Sequence, residues 1–211
     1  MRIVLYTCLL LVNASLVAQP IFSTGVAIGF IIPTGNDLSA GYEAGLSLEP
    51  GLSFALSDKI DIGASVLVNG FMNNYNDAVT DYLILYGPLM NLSYKGILLG
   101  KIEVQPLLGV GYVWGQDFFV SSNQINSDRE TTQILSCKGG YLRAGLTVPA
   151  SEKVIVRLMY NVHRPVVSIS EEAKNFFAPY NITSPLYGSI IDFPSNRMSF
   201  DNLMIAIALK L

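Results

Sequence analysis

The stretch GYEAGLSLEPGLSFALSDKIDIGASVLVNG, Gly41–Gly70, decides how the chain folds. From Tyr42 its even positions read Tyr42, Ala44, Leu46, Leu48, Pro50, Leu52, Phe54 and Leu56. Its odd positions read Glu43, Gly45, Ser47, Glu49, Gly51, Ser53, Ala55 and Ser57. A period of two marks a β-strand, because successive side chains leave a pleated strand on opposite faces. An ordinary half-buried strand turns its polar face to water. Here the polar face is mostly Gly, Ser and Ala with two acids among them, residues that suit a confined space.

Working outward, the same rhythm recurs to give eight runs: Phe22–Ile32, Tyr42–Ser57, Lys59–Asn73, Asp81–Lys95, Lys101–Gly115, Thr132–Val148, Lys153–Pro165 and Leu203–Leu211. Three connections are tight, SDK at Ser57–Lys59, KGILLGK at Lys95–Lys101 and PASEK at Pro149–Lys153. The other four run from about 8 to about 35 residues, long against ordinary hairpin loops. Short turns on one edge, long loops on the other and both chain ends on the short-turn edge describe an all-β, eight-stranded antiparallel up-and-down transmembrane barrel. Its narrow lumen takes the small-residue face, and the Leu, Ile and Val face looks at lipid. Pro50, Pro88 and Pro106 lie in phase with the apolar face. Each removes a ladder donor, a cost for which the sequence offers no compensation.

Composition agrees. Of 211 residues, 51% are hydrophobic and 14% charged, against about 25% charged in soluble domains; mean hydropathy is +0.43. Beyond the N-terminal region there is no run of ~18 apolar residues, which removes a helical membrane protein. The net charge is −3 with Lys and Arg scattered singly, so nucleic acid is not an expected partner. Residues 1–18 read as a signal peptide, with Arg2, an apolar run from Ile3 to Val12 and small residues up to Ala18. The barrel domain then occupies 19–211. Loss of Cys8 with the signal leaves Cys137 alone, so no internal disulfide is expected.

The first strand GVAIGFIIPTGN, the hairpin GLSLEPGLSFALSDKIDIGASV, the stretch PLLGVGYVWG and the alternating C-terminal strand resemble the eight-stranded outer-membrane barrels of the OmpA and OmpX type, and more closely the barrel-domain proteins of Bacteroidetes. The resemblance covers the mature chain and implies an architecture and a place, the bacterial outer membrane, with the lipid bilayer as partner. It implies no activity. The final Leu211 departs from the aromatic residue on which such barrels commonly end.

Six charged residues fall on the lumen face, Glu49, Asp61, Glu103, Arg143, Arg157 and Lys210. Unpaired buried charge is costly, so they are expected to form one network and to fill the lumen as a polar plug. His163, the sole histidine, also points inward; a lipid-modifying barrel enzyme of the deacylase or acyltransferase type would use such a residue beside a Ser and an acid. No metal-ligand spacing and no cofactor motif is present. Tyr42, Phe71, Tyr75, Tyr82, Tyr112, Trp114, Phe118 and Phe119 read as an interfacial girdle at the long-loop edge. In the last long segment, Ser168–Phe200, Ser168 and Glu171 fit a capping box for a helix over Glu171–Phe177. Its apolar residues, Phe176, Phe177, Tyr180, Tyr187 and Phe193 foremost, are too many for solvent. They form a lid over the barrel mouth or an extracellular surface for a protein partner. The expected function is a structural or surface-interaction protein without catalysis. The alternatives are the lipid-modifying enzyme and a soluble lipocalin-like barrel.

Overall fold

The computed structural model describes residues 22–76, 79–122, 129–177, 183–184, 188–189 and 196–211. Eight long strands follow one another in antiparallel order: β1 Phe22–Pro33, β2 Gly45–Ala55, β3 Ile60–Asn76, β4 Val79–Tyr94, β5 Ile102–Ser122, β6 Arg129–Pro149, β7 Val154–His163 and β8 Asn202–Lys210. Strand β8 pairs back on β1, from Gly25 opposite Lys210 to Pro33 opposite Asn202. The sheet is therefore a closed eight-stranded antiparallel barrel with no free side edge over that span. Every strand turns large apolar side chains outward, among them Ile28, Leu48, Val66, Met90, Leu108, Leu142, Leu158 and Ile207.

The three prolines lie at interruptions of the ladder. Pro50 pairs with Val26 of β1, while on the β3 side pairing skips from Leu48 opposite Val68 to Gly51 opposite Ser65. Pro88 pairs with Val66 of β3, and on the β5 side pairing skips from Tyr86 opposite Trp114 to Leu89 opposite Gly111. Pro106 pairs with Leu146 of β6, and on its other side pairing jumps from Ser93 opposite Leu107 to Ile97 opposite Val104. Each ring thus sits against a seam that is already open, which confines the lost donor to one neighbour.

Two of the tight turns use one device. The Ser57 hydroxyl accepts from the Lys59 and Ile60 amides, and Ser151 does the same for Lys153 and Val154, the local side-chain-to-backbone bonding that favours serine in turns. The third is a hairpin extension in which Ile97–Leu99 pairs with the start of β5. Gly96 and Gly100, at φ 88° and 66°, supply its left-handed positions.

At the opposite end the strands outrun the sequence pattern. The region between Asn73 and Asp81, expected as a long loop, is mostly strand, with Asn74 opposite Thr80 and Asn76 opposite Val79. Cross-strand pairing overrides the low strand propensity of the Asn residues. A short helix that the alternation did not reveal, α1 Asn36–Gly41, joins β1 to β2 and buries Leu38. The expected helix over 171–177 is present as α2 Glu171–Phe177, but its cap is Ser170. The Ser170 hydroxyl accepts from Ala173 N at 3.0 Å and donates to Gln133 O of β6 at 2.6 Å. Ser168 instead lies in a short strand, Val166–Ile169, paired with β6 opposite Ser136.

Two of the aromatics assigned to the girdle are inside. Tyr42 and Phe71 are each 2% exposed, with ring centroids 5.9 Å apart. Tyr42 follows α1, which resets the phase of the run, and Phe71 shares the inward parity of Leu67 and Asn69 on β3. Tyr82, Tyr112 and Trp114 do face outward. The interior divides in two. Toward the long-strand end Leu38, Phe71, Leu83, Leu85, Leu135 and Phe200 pack as an apolar core. Toward the short-turn end a polar cavity of about 290 Å³ remains.

Candidate functional site

The boundary between the two halves is a carboxylate with two guanidinium groups. Glu49 of β2, Arg143 of β6 and Arg157 of β7 have inward parity, and the barrel's curvature brings these separate strands face to face. Arg143 Nη1 donates to Glu49 Oε2 at 2.6 Å, and Arg157 Nη1 lies 3.6 Å from Glu49 Oε1. The Ser65 hydroxyl donates to Glu49 Oε1 at 2.8 Å, and Asn91 Nδ2 donates to Ser65 Oγ at 3.2 Å. Both Arg143 and Glu49 are buried, whereas Arg157 is partly open to the cavity below.

The six charges of the lumen face do not join into one network. Asp61 pairs with Lys95 at 2.7 Å, near the short-turn end. Glu103 accepts from Gln105 Nε2 at 3.0 Å and from the Gly96 amide at 3.4 Å. Lys210 lines the cavity at its mouth, where it is exposed, and makes no ion pair among the described residues.

A line of amides rises from the central charges. Arg143 Nε donates to Asn161 Oδ1 at 3.1 Å, Asn161 Nδ2 donates to Asn202 Oδ1 at 2.7 Å, and Asn202 Nδ2 donates to Phe200 O at 3.3 Å. Sequence reading missed Asn202, Ser65 and Asn91 as members of the site, although inward parity on an apolar-faced strand was the signal available for each. The segment Met198–Asp201, where this line ends, is stitched across the mouth. Met198 N donates to Pro165 O, Phe200 N to His163 O, and Thr34 N and Gly35 N both to Asp201 O. Arg164 forms a two-pronged pair with Asp201, Nη2 lying 2.8 Å from Oδ2, and this hydrogen bonding holds the guanidinium above its ordinary pKa.

His163 sits beneath that segment at 0% exposure, between the Tyr141 and Phe200 rings, each with its centroid 5.9 Å away. Neither ring nitrogen has a hydrogen-bond partner among the described residues. Higher in the interior, Tyr42 donates its hydroxyl to Asp117 Oδ1 at 2.8 Å. Of the five apolar residues singled out in the Ser168–Phe200 segment, Phe176 and Phe177 lie in α2, while Tyr180, Tyr187 and Phe193 fall outside the described residues. Residues 1–18, read as a signal, also fall outside them.

Among solved structures, the chain is similar to Neisserial surface protein A, with 11% identity and a TM-score of 0.49 over 90% of this chain and 97% of that one. It is similar to Ail, the attachment invasion locus protein of Yersinia pestis, at 10% identity and a TM-score of 0.47 over 90% and 97% of the two chains. The outer membrane protein OprG from Pseudomonas aeruginosa gives 12% identity and a TM-score of 0.44, over 90% and 95%. No family model and no curated protein sequence matches the chain.

Proposed function

We propose that the chain is an integral barrel of the bacterial outer membrane, plugged in its outer half, with a structural or surface-interaction role and no catalysis. The observation that carries this reading is the outward apolar surface. All eight strands contribute to it, with Ile28 60% exposed, Leu46 65%, Met90 60% and Ile207 55%. Water-soluble proteins rarely expose contiguous apolar patches beyond a few hundred Å², and a belt around a closed barrel is the arrangement lipid requires. The short-turn end then faces the periplasm, and α1, α2 and the Met198–Asp201 segment face outward.

The apolar core beneath those elements supports a plug of apolar side chains in the outer half, in place of the polar plug expected from the lumen charges, and Ala173 of α2, buried as are Met198 and Phe200, supports the Ser168–Phe200 segment as a lid rather than a partner surface. Catalysis through His163 is disfavoured by its enclosure. An imidazole enclosed between the Tyr141 and Phe200 rings, tilted to one and edge-on to the other, with no serine hydroxyl bonded to it among the described residues, has neither a nucleophile to activate nor an opening to lipid.

Fractionation tests the reading. After an alkaline carbonate wash the protein should stay in the membrane pellet and sediment with lipopolysaccharide on a sucrose gradient. Release into the carbonate supernatant would favour the lipocalin-like alternative. A lipid-modifying enzyme would show itself as a change in lipid A acylation between expressing and non-expressing cells, a change absent from a His163→Gln strain.

A further inference from the structure

The cavity at the short-turn end carries an unbalanced charge. Four cations line it or lie directly behind its floor, Lys95, Arg143, Arg157 and Lys210, against two carboxylates, Glu49 and Asp61. Counting Glu103, which bonds to the lining residue Gln105, the surplus is still one positive charge.

The surplus has a definite place. Glu49 is already engaged by Arg143 at 2.6 Å and by Ser65 at 2.8 Å, so its contact with Arg157 is the long one, 3.6 Å. One carboxylate cannot neutralise two guanidinium groups. Arg157 Nε is closed off from solvent and has no hydrogen-bond partner among the described residues, while the side chain as a whole is 22% exposed and lines the cavity. Lys210 lies four residues along β8 from Ala206, which pairs with Arg157, about 13 Å of strand. Both side chains line the same cavity. The cavity wall also carries Ser53, Ser65, Thr147 and Gln105, whose hydroxyl and amide groups bond to Ser23, Glu49, Gln105 and Glu103 in turn.

We propose that this cavity is a binding site for a small solute bearing one carboxylate or phosphate group, admitted from the short-turn end, with Arg157 as its anchor and Lys210 at its rim. The volume, about 290 Å³, is at the lower end of small-molecule sites. The eight-stranded wall admits nothing larger. A guanidinium whose ion pair is as long as 3.6 Å and whose side chain is partly open to the cavity can turn its outer donors to either oxyanion, and the flanking hydroxyl oxygens suit a polyhydroxylated body.

The test uses the full chain folded in a nonionic detergent at constant ionic strength. Amide NMR shifts of Gly25, Ser53 and Gly63 are followed during titration with inorganic phosphate, with gluconate and with neutral glucose. Saturable shifts with phosphate or gluconate but not with glucose are expected; which anion binds more tightly separates a phosphate from a carboxylate ligand. Arg157→Gln should weaken binding about tenfold, the loss of a charge-assisted pair. Lys210→Glu should weaken it severalfold, and since Lys210 is exposed that variant folds even if Arg157→Gln does not. No saturable shift with either anion up to tens of millimolar overturns the proposal, as does equal binding of glucose or undiminished binding in either folded variant.

Discussion

Arg143 Nη1 and Glu49 Oε2 stand 2.6 Å apart in the barrel interior, although 94 residues separate them along the chain. With both side chains out of water, removing one partner strands the other, at about 3–5 kcal/mol. Arg143→Met should lower the stability of the folded barrel by an amount toward the lower end of that range, because Arg157 remains near Glu49. Adding Glu49→Gln should recover part of the loss, whereas adding Glu103→Gln should recover none, since Glu103 is bonded to Gln105 and Gly96. Urea unfolding from lipid vesicles measures all three; recovery by Glu103→Gln would show that the charges meet differently.

The outward belt predicts a depth profile. Leu48→Arg and Ile28→Arg, which face each other across β1 and β2, should cost about 2–4 kcal/mol each, and Leu98→Arg at the tip of the β4–β5 hairpin no more than about 1 kcal/mol. Val104 is unsuited to the comparison despite its apolar-face parity, because it is only 7% exposed. Equal folding efficiency of Leu48→Arg and Leu98→Arg in vesicles would contradict the assignment of the belt.

Gly87 lies beside the open seam at Pro88, where the β5 backbone approaches so closely that a Cβ would sit against the Tyr112 carbonyl oxygen and the Val113 Cα. Gly87→Val should therefore cost about 1–3 kcal/mol through a forced backbone shift. Gly70→Ala provides the control, since a methyl there meets nothing within 4 Å. Comparable unfolding midpoints for the two variants would mean that the seam yields freely.

Ser170 both caps α2 and ties it to β6. Replacement by Ala should destabilise the helix by about 1 kcal/mol and raise amide exchange at Ala173 and Lys174 without altering exchange in β1 or β8. Unchanged exchange in α2 would indicate that packing of Ala173 alone holds the helix in place.

Much of this architecture is legible in the alternation, and the errors follow from particular residues. Parity alone puts Glu49, Arg143, Arg157, Asn161 and His163 inside. It could not reveal which of them meet, because contacts across a lumen depend on the stagger of strands that are not neighbours. Asp61 finds Lys95 two residues beyond its register partner Ser93, a reach of side-chain length that no pattern shows. Residue type puts Phe71 outside although its parity is inward. Alternation puts Tyr42 outside because the six-residue helix immediately before it is too short to leave a 3.6-residue signature.

Strands β5 and β6 have 21 residues each, and β1, β2 and β8 have 12, 11 and 9. A bilayer uses about 9–11 residues of tilted strand, so the former pair continues for roughly 10 residues, some 33 Å of chain, past the level at which the latter end. The rim is cut on a slant, like the mouth of a quill. On its high flank a visitor meets the paired main chain of β5 and β6, whose far β6 edge above Leu135 has no ladder partner among the described residues. On its low flank it meets α1 and the Met198–Asp201 strap. Among the described residues the height of the rim is therefore set by strand length, tall at β5 and β6 and low at β8, β1 and β2, before any side chain is read.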